Sequence, residues 1–109
     1  MKLQPRLRFE GPVRTTVTDA VAPDLLAVVS EALTNVSRHA RASSVEVRVS
    51  VARDTLEVVV ADDGGGMPRD VRESGLRNLR ERAAGHGGEL VVESGAGTGT
   101  TVTWRVPLG

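Results

Sequence analysis

The sequence predicts an α+β fold: a two-layer α/β sandwich in which two helices pack on one face of a mixed, largely antiparallel sheet. Three observations lead there. Six short stretches alternate apolar with polar residues or are rich in β-branched ones, two stretches carry apolar residues at helical spacing, and the order along the chain is ββαββαββ. With 109 residues and 39% hydrophobic content, one domain covering 1–109 with a modest core is expected.

Leu7 and Phe9 alternate with Arg6, Arg8 and Glu10 ahead of Gly11-Pro12, and Val13 to Thr18 is rich in β-branched residues, so the first twenty residues read as two short strands. From Asp24 to His39 the period changes. Leu25, Val29, Ala32 and Val36 recur at helical spacing, Val28 and Leu33 widen the stripe, and Pro23 marks the start. Val45, Val47, Val49 and Val51 then alternate with Glu46, Arg48 and Ser50, the pattern of a strand with one buried face. Arg53-Asp54 is a tight turn. Leu56, Val58 and Val60 continue the alternation, and Val59 and Ala61 make that strand apolar on both sides, as a central strand is. Asp62 to Pro68 is the strongest breaker cluster. A second helix is expected from about Ser74 to Ala84, with Leu76, Leu79 and Ala83 as its stripe and Gly85 to Gly88 as its stop. Glu89 to Glu93 and Thr101 to Val106 close the chain as a strand pair.

Composition excludes several function classes. A formal charge of zero, with 13 scattered Arg and two aromatic residues, gives no basic face for nucleic acid. No apolar run approaches the ~20 residues that span a bilayer, so no membrane contact by this domain is expected, and the absence of Cys and of a signal core makes a cytoplasmic location the default. There is no G-x-x-x-x-G-K-[ST], and the only lysine is Lys2, which removes the P-loop mechanism. Gly95 to Gly99 does not open a helix, so the dinucleotide fingerprint fails. Two histidines make no metal cluster, and no serine sits in a nucleophile elbow.

What remains is four local features. Glu31, Asn35 and Arg38, at i, i+4 and i+7, project from one side of the first helix. They are either a solvated face or a carboxylate, a Mg²⁺-ligating amide and a phosphate-binding cation. His39 adjoins them, while His86, between Gly85 and Gly87, reads as exposed. Asp62 ends an apolar strand, where it either starts a turn, a role equally open to Asp63, or accepts a hydrogen bond from the exocyclic amine of an adenine. Gly64 to Gly66 and Gly95 to Gly99 allow close backbone approach to a phosphate or simply form hairpin loops.

Taken in order, Glu31-x-x-Thr34-Asn35-x-x-Arg38-His39-Ala40, Asp62-Asp63-Gly64-Gly65-Gly66, Gly75-Leu76-x-Asn78-Leu79-x-Glu81-Arg82-Ala83 and Gly97-Thr98-Gly99-Thr100 resemble the ATP-binding catalytic domain of bacterial sensor histidine kinases, in the nitrate/nitrite-sensor-like and DesK-like branch. The resemblance spans about Pro23 to Pro107 and implies the Bergerat ATP-binding fold. It implies ATP and Mg²⁺ as ligands, Asn35 as the Mg²⁺ ligand, Glu31 as general base or orienting carboxylate, and Asp62 as the adenine reader. Arg38 and His39 match basic positions near the phosphates, Gly64 and Gly66 the hinge of a lid, Gly97 and Gly99 the glycines flanking the triphosphate, and Thr100 a hydroxyl near the adenine. Gly75 and Leu76 match the start of the second helix under the phosphates, and the lid is the short stretch from Met67 to Ser74, with Arg69, Arg72 and Arg77 as candidate phosphate contacts. Glu73 stands where many relatives carry a further glycine. The resemblance also implies partners: a phosphoacceptor and dimerisation domain of the same kinase, to which the γ-phosphoryl goes, and indirectly a response regulator. Neither His39 nor His86 lies in a phosphoacceptor hairpin, so the chain is expected to be the C-terminal piece of a larger sensor kinase that does not autophosphorylate alone. The alternatives on the same fold are a non-catalytic ATP-binding module and an anti-sigma-factor-type serine kinase.

Overall fold

The computed structural model describes residues 4–11, 21–35, 44–64, 69–95 and 99–108. In chain order these form β1 (Gln4–Glu10), α1 (Ala22–Asn35), β2 (Ser44–Ala52), β3 (Thr55–Asp62), α2 (Arg69–Gly85), β4 (Glu89–Gly95) and β5 (Gly99–Pro107). The strands make one sheet in the order β1-β2-β3-β5-β4, with β1 parallel to β2 and every other pair antiparallel. The α+β sandwich is thus as expected, with β3 central. The strand expected at 13–18 lies outside the described residues.

Alternation along the strands decides which face is covered. Val45, Val47, Val49 and Val51 of β2, Leu56, Val58 and Val60 of β3, and Val102, Trp104 and Val106 of β5 are all buried. They pack with Val28 and Ala32 of α1 and with Leu76, Leu79 and Ala83 of α2. The opposite face carries charge across the strands. Arg105 bonds Glu57 at 2.7 Å and Glu89 at 3.2 Å, and Arg48 approaches Glu57 at 4.0 Å. Such solvent-screened surface pairs contribute little, so apolar burial and not this ladder holds the layers together.

Two departures from the sequence reading have simple causes. The alternating Leu7 and Phe9 of β1 are 55% and 61% exposed, because β1 is an edge strand that, unlike the other edge strand β4, has no substantial packing against either described helix. The second helix starts at Arg69 and not near Ser74, because a polar first turn forms helix without an apolar stripe to announce it.

Turns and caps fix the remaining geometry. Arg53 and Asp54 both have positive φ, 52° and 61°, as a two-residue type I′ hairpin turn requires. The Asp54 carbonyl then accepts from Leu108 N–H at 2.7 Å, which ties down the end of β5. At the end of α2, Gly88 N–H donates to the Ala83 carbonyl and Gly87 N–H to that of Ala84, with Gly87 at φ 76°, a Schellman motif. Trp104, fully buried on β5, donates its indole N–H to the Leu79 carbonyl at 3.1 Å and so holds α2 on the sheet.

Candidate functional site

One end of the sheet brings together Asp62, Gly64, Gly99 and Thr100 of the expected site. Asp62 ends β3, and its register partners are Val45 near the start of β2 and Thr100 at the start of β5. α1 ends at Asn35 and the chain re-enters at Ser44, which meets Asp63, so the Asn35 end of α1 leads to the Asp62 end of the sheet. α2 starts at Arg69, shortly after Gly64.

The two adjacent aspartates do different work. Asp62 has the same parity as Leu56, Val58 and Val60, so it projects on the helix-covered face. Its Oδ1 accepts from Gly64 N–H at 2.9 Å. Burial pushes its carboxyl above the ordinary carboxylate range, and backbone bonds from Gly64 and Thr100 hold part of that rise back. Asp63 turns the other way and accepts from Ser44 N–H at 2.9 Å, stitching β3 to β2. Strand parity sends Asp62, the aspartate singled out in the sequence, to the helix-covered face and Asp63 away from it.

Thr100 is buried beside Asp62 at 2% exposure, the one buried polar residue among those described. Gly99 has φ +82°, and a Cβ there would collide with the Asp62 carbonyl oxygen. Glycine at 99 is therefore required by close packing of β5 on the end of β3. Gly64 is buried at the same corner. Asn35 is the last residue of α1, while Arg38, His39, Gly66 and Gly97 lie outside the described residues. Gly75 and Leu76 sit inside α2 and not at its start, with Leu76 buried in the core. The same start makes residues 69 to 74, expected as lid, part of a helix.

Glu31 meets a partner that the sequence did not suggest. Arg82 of α2 donates Nη2 to Glu31 Oε1 at 3.1 Å and Nη1 to Asp24 Oδ1 at 2.7 Å. His86 Nε2 lies 2.5 Å from Asp24 Oδ2, with its ring edge-on to Trp104 at 6.4 Å between centroids. His86 is thus a partly buried bridging residue and not a solvent-exposed one, because the Schellman turn presents it to α1. The bond with His86, then that with Arg82, holds the Asp24 carboxyl below its usual range. Asp24, followed by Glu31, raises the Arg82 guanidinium further still. Glu31 Oε2 and Arg82 Nε are buried and without hydrogen-bond partners among the described residues, at a cost of about 1–3 kcal/mol for such an atom. An open pocket of about 410 Å³ lies over this network, lined by Asp24, Asn78, Glu81, Arg82, Gly85 and His86. It sits at the other end of the helix pair from Asp62. Arg82 and His86 are separated from Asp24 by most of the chain, so spacing along the sequence carried no sign of the contact.

A sheet covered on one face by two helices, with a half-buried aspartate closing its central strand and tight glycines beside it, defines a sandwich of the Bergerat kind. Residues 20–109 match the family of histidine kinase-, DNA gyrase B- and HSP90-like ATPases, and the chain belongs to that family. It is 40% identical over 86 residues to the sensor histidine kinase LnrJ of Bacillus subtilis, covering 79% of this chain and 22% of that protein. It is 38% identical over 97 residues to the sensor histidine kinase LiaS of the same organism, covering 86% and 27%. Among solved structures, the blue-light activated histidine kinase EL346 of Erythrobacter litoralis superposes with a TM-score of 0.80 at 35% identity, over 97% of this chain and 35% of that one. The chain spans about a quarter of the length of these curated relatives. No helix among the described residues is long and apolar enough to cross a membrane.

Proposed function

We propose that the chain binds ATP with Mg²⁺ and donates the γ-phosphoryl group to a histidine on a separate phosphoacceptor and dimerisation domain of the same kinase, which in turn serves a response regulator. The observation that carries this reading is Asp62: a half-buried carboxylate at the end of the central strand, bonded by the backbones of Gly64 and Thr100, whose two oxygens keep lone pairs for a further donor such as the exocyclic amine of adenine. Thr100, across the β3–β5 pair, contributes a hydroxyl to the same corner.

Asn35, at the end of α1, suits a Mg²⁺ that keeps waters and phosphate oxygens as its other ligands, since that ion needs only one or two protein groups. Bound there, the ion supplies neutralisation of phosphate charge. Arg38, His39, Gly66 and Gly97 complete the phosphate side, with Gly64 and Gly99 at its edge and Gly75 and Leu76 in the helix beyond. Glu31 has one oxygen held by Arg82 and the other enclosed, which supports the orienting role over that of general base. Transfer then depends on positioning and electrostatics, with the acceptor nitrogen brought by the partner domain. The named relatives are sensor histidine kinases, which disfavours a non-catalytic module or a serine kinase.

Incubation with γ-labelled ATP tests the assignment. The chain alone should bind ATP without labelling His39 or His86, and adding the cognate helical domain should label a histidine there. Acid-labile label on the isolated chain would refute it. Asn35→Ala should weaken ATP binding in the presence of Mg²⁺ far more than in chelator, and an equal loss in both would remove Asn35 from the metal.

A further inference from the structure

Arg82 makes a contact whose shape exceeds what two packed helices need. Asp24 and Glu31 lie seven residues apart on α1, roughly 10 Å along its axis, and one guanidinium reaches both. Helical side chains lean toward their own N-terminus, so the long Glu31 side chain tilts back toward Asp24 and closes that gap. The two helices run antiparallel, so this tie near the end of α2 grips the turn of α1 that precedes Asn35.

The ion pair to Glu31 is half made. Nε and Nη2 are the two donors on one side of a guanidinium, suited to grip both oxygens of a carboxylate. Here Nη2 holds Oε1, while Nε and Oε2, the remaining atoms of the same two groups, are buried without partners. The carboxylate is therefore held in one orientation by a single bond, with an uncommitted oxygen one helical turn before the residue assigned to the metal.

We propose that Arg82 is a positioning residue for phosphoryl transfer, acting through Glu31 to fix the orientation of its carboxylate. The inference rests on the reading of the chain as an ATP-dependent phosphoryl donor and deepens it. Asp62 and Thr100, which receive the base, are paired with each other at the end of β3 and the start of β5, with Asp62 tied to Gly64, whereas Arg82 lies near the end of α2, so removal of the guanidinium leaves the base corner intact. The loss belongs in the rate and not in the affinity.

Four variants decide this: Arg82→Ala, Arg82→Lys, Glu31→Gln and the double Arg82→Ala/Glu31→Gln. Each is checked for fold by circular dichroism, for ATP affinity by calorimetry, and for transfer from γ-labelled ATP to the cognate helical domain. ATP affinity should stay within about twofold of the wild type while the saturating rate falls at least tenfold in Arg82→Ala and in Glu31→Gln. The double variant should be no slower than the slower single one, because the two residues act through one contact. Arg82→Lys keeps a cation without the fork and should fall between. A folded Arg82→Ala with the wild-type rate, or a double variant whose losses multiply, overturns the proposal. Where Arg82→Ala does not fold, a folded Arg82→Lys with the wild-type rate overturns it equally. A wild-type chain that binds no ATP defeats the functional reading and this role with it; wild-type transfer indifferent to Arg82 defeats the role alone.

Discussion

Asp62→Asn isolates one bond in the proposed site. The carboxamide oxygen of Asn still accepts from Gly64 N–H, so the turn after β3 keeps its tie. The second oxygen becomes an NH₂ donor, which faces the donor amine of adenine in place of a charged acceptor. Loss of a charge-assisted hydrogen bond is worth about 1.5–3 kcal/mol, which is roughly 10- to 150-fold in ATP affinity. Stability should not fall in parallel. Burial raises the Asp62 carboxyl, so its ionisation opposes folding, and its contribution is lost as pH rises through the raised value. Asn escapes that loss. ATP affinity has the opposite slope: it should drop as pH falls through the same raised value in the wild type and stay flat in Asp62→Asn. Guanine offers a carbonyl at that position, so the wild type should discriminate against GTP, and the variant should discriminate less. Calorimetric titration with ATP and GTP across a pH series reads all of these. Equal ATP affinity in the two proteins, or the same pH dependence in both, would refute the reasoning.

Two further outcomes follow from the packing. Asp24 has a lowered carboxyl, so its contribution to stability is full above the ordinary value of 3.8 and lost as pH falls through the lowered one; acid melts of the wild type should lose stability there, and Asp24→Asn should not show that component. Gly99→Ala combines a positive φ with a collision on the Asp62 carbonyl, so it should cost more than about 1 kcal/mol in a denaturant melt and weaken ATP binding together; a variant as stable as the wild type would show that β5 yields at little cost.

The parts of the fold legible in sequence are those written by one buried face. The valines of β2 and β3 alternate because every second side chain enters the core, and the Leu25/Val29/Ala32 stripe repeats because α1 lies on that core. Asp62 was legible as a candidate because it breaks an apolar run, and its separation from Asp63 needed only the parity of β3. The start of α2 was not legible, since residues 69 to 73 are nearly all polar and Gly75 reads as a boundary although it lies inside the helix. Pro68, immediately ahead of Arg69, was the available signal. The bridge from Asp24 to Arg82 and His86 was invisible for another reason. It is made by two helices meeting over the sheet, and periodicity reports burial but not which charged side chains face one another.

The parallel pairing of β1 sets an order of events on the folding chain. β2 and β3 are joined by a two-residue turn, and β4 and β5 are near neighbours, so both hairpins close over short loops. β1 must find β2 with Gln4 opposite Ser44, across a loop that contains the whole of α1, and the entropy of closing such a loop has no local contacts to offset it early. Its side chains remain exposed once it arrives. β1 is therefore expected to join last and leave first, with amides that exchange with solvent well before those of β3, so that the Asp62 corner at the end of β3 is assembled on a scaffold that does not wait for β1.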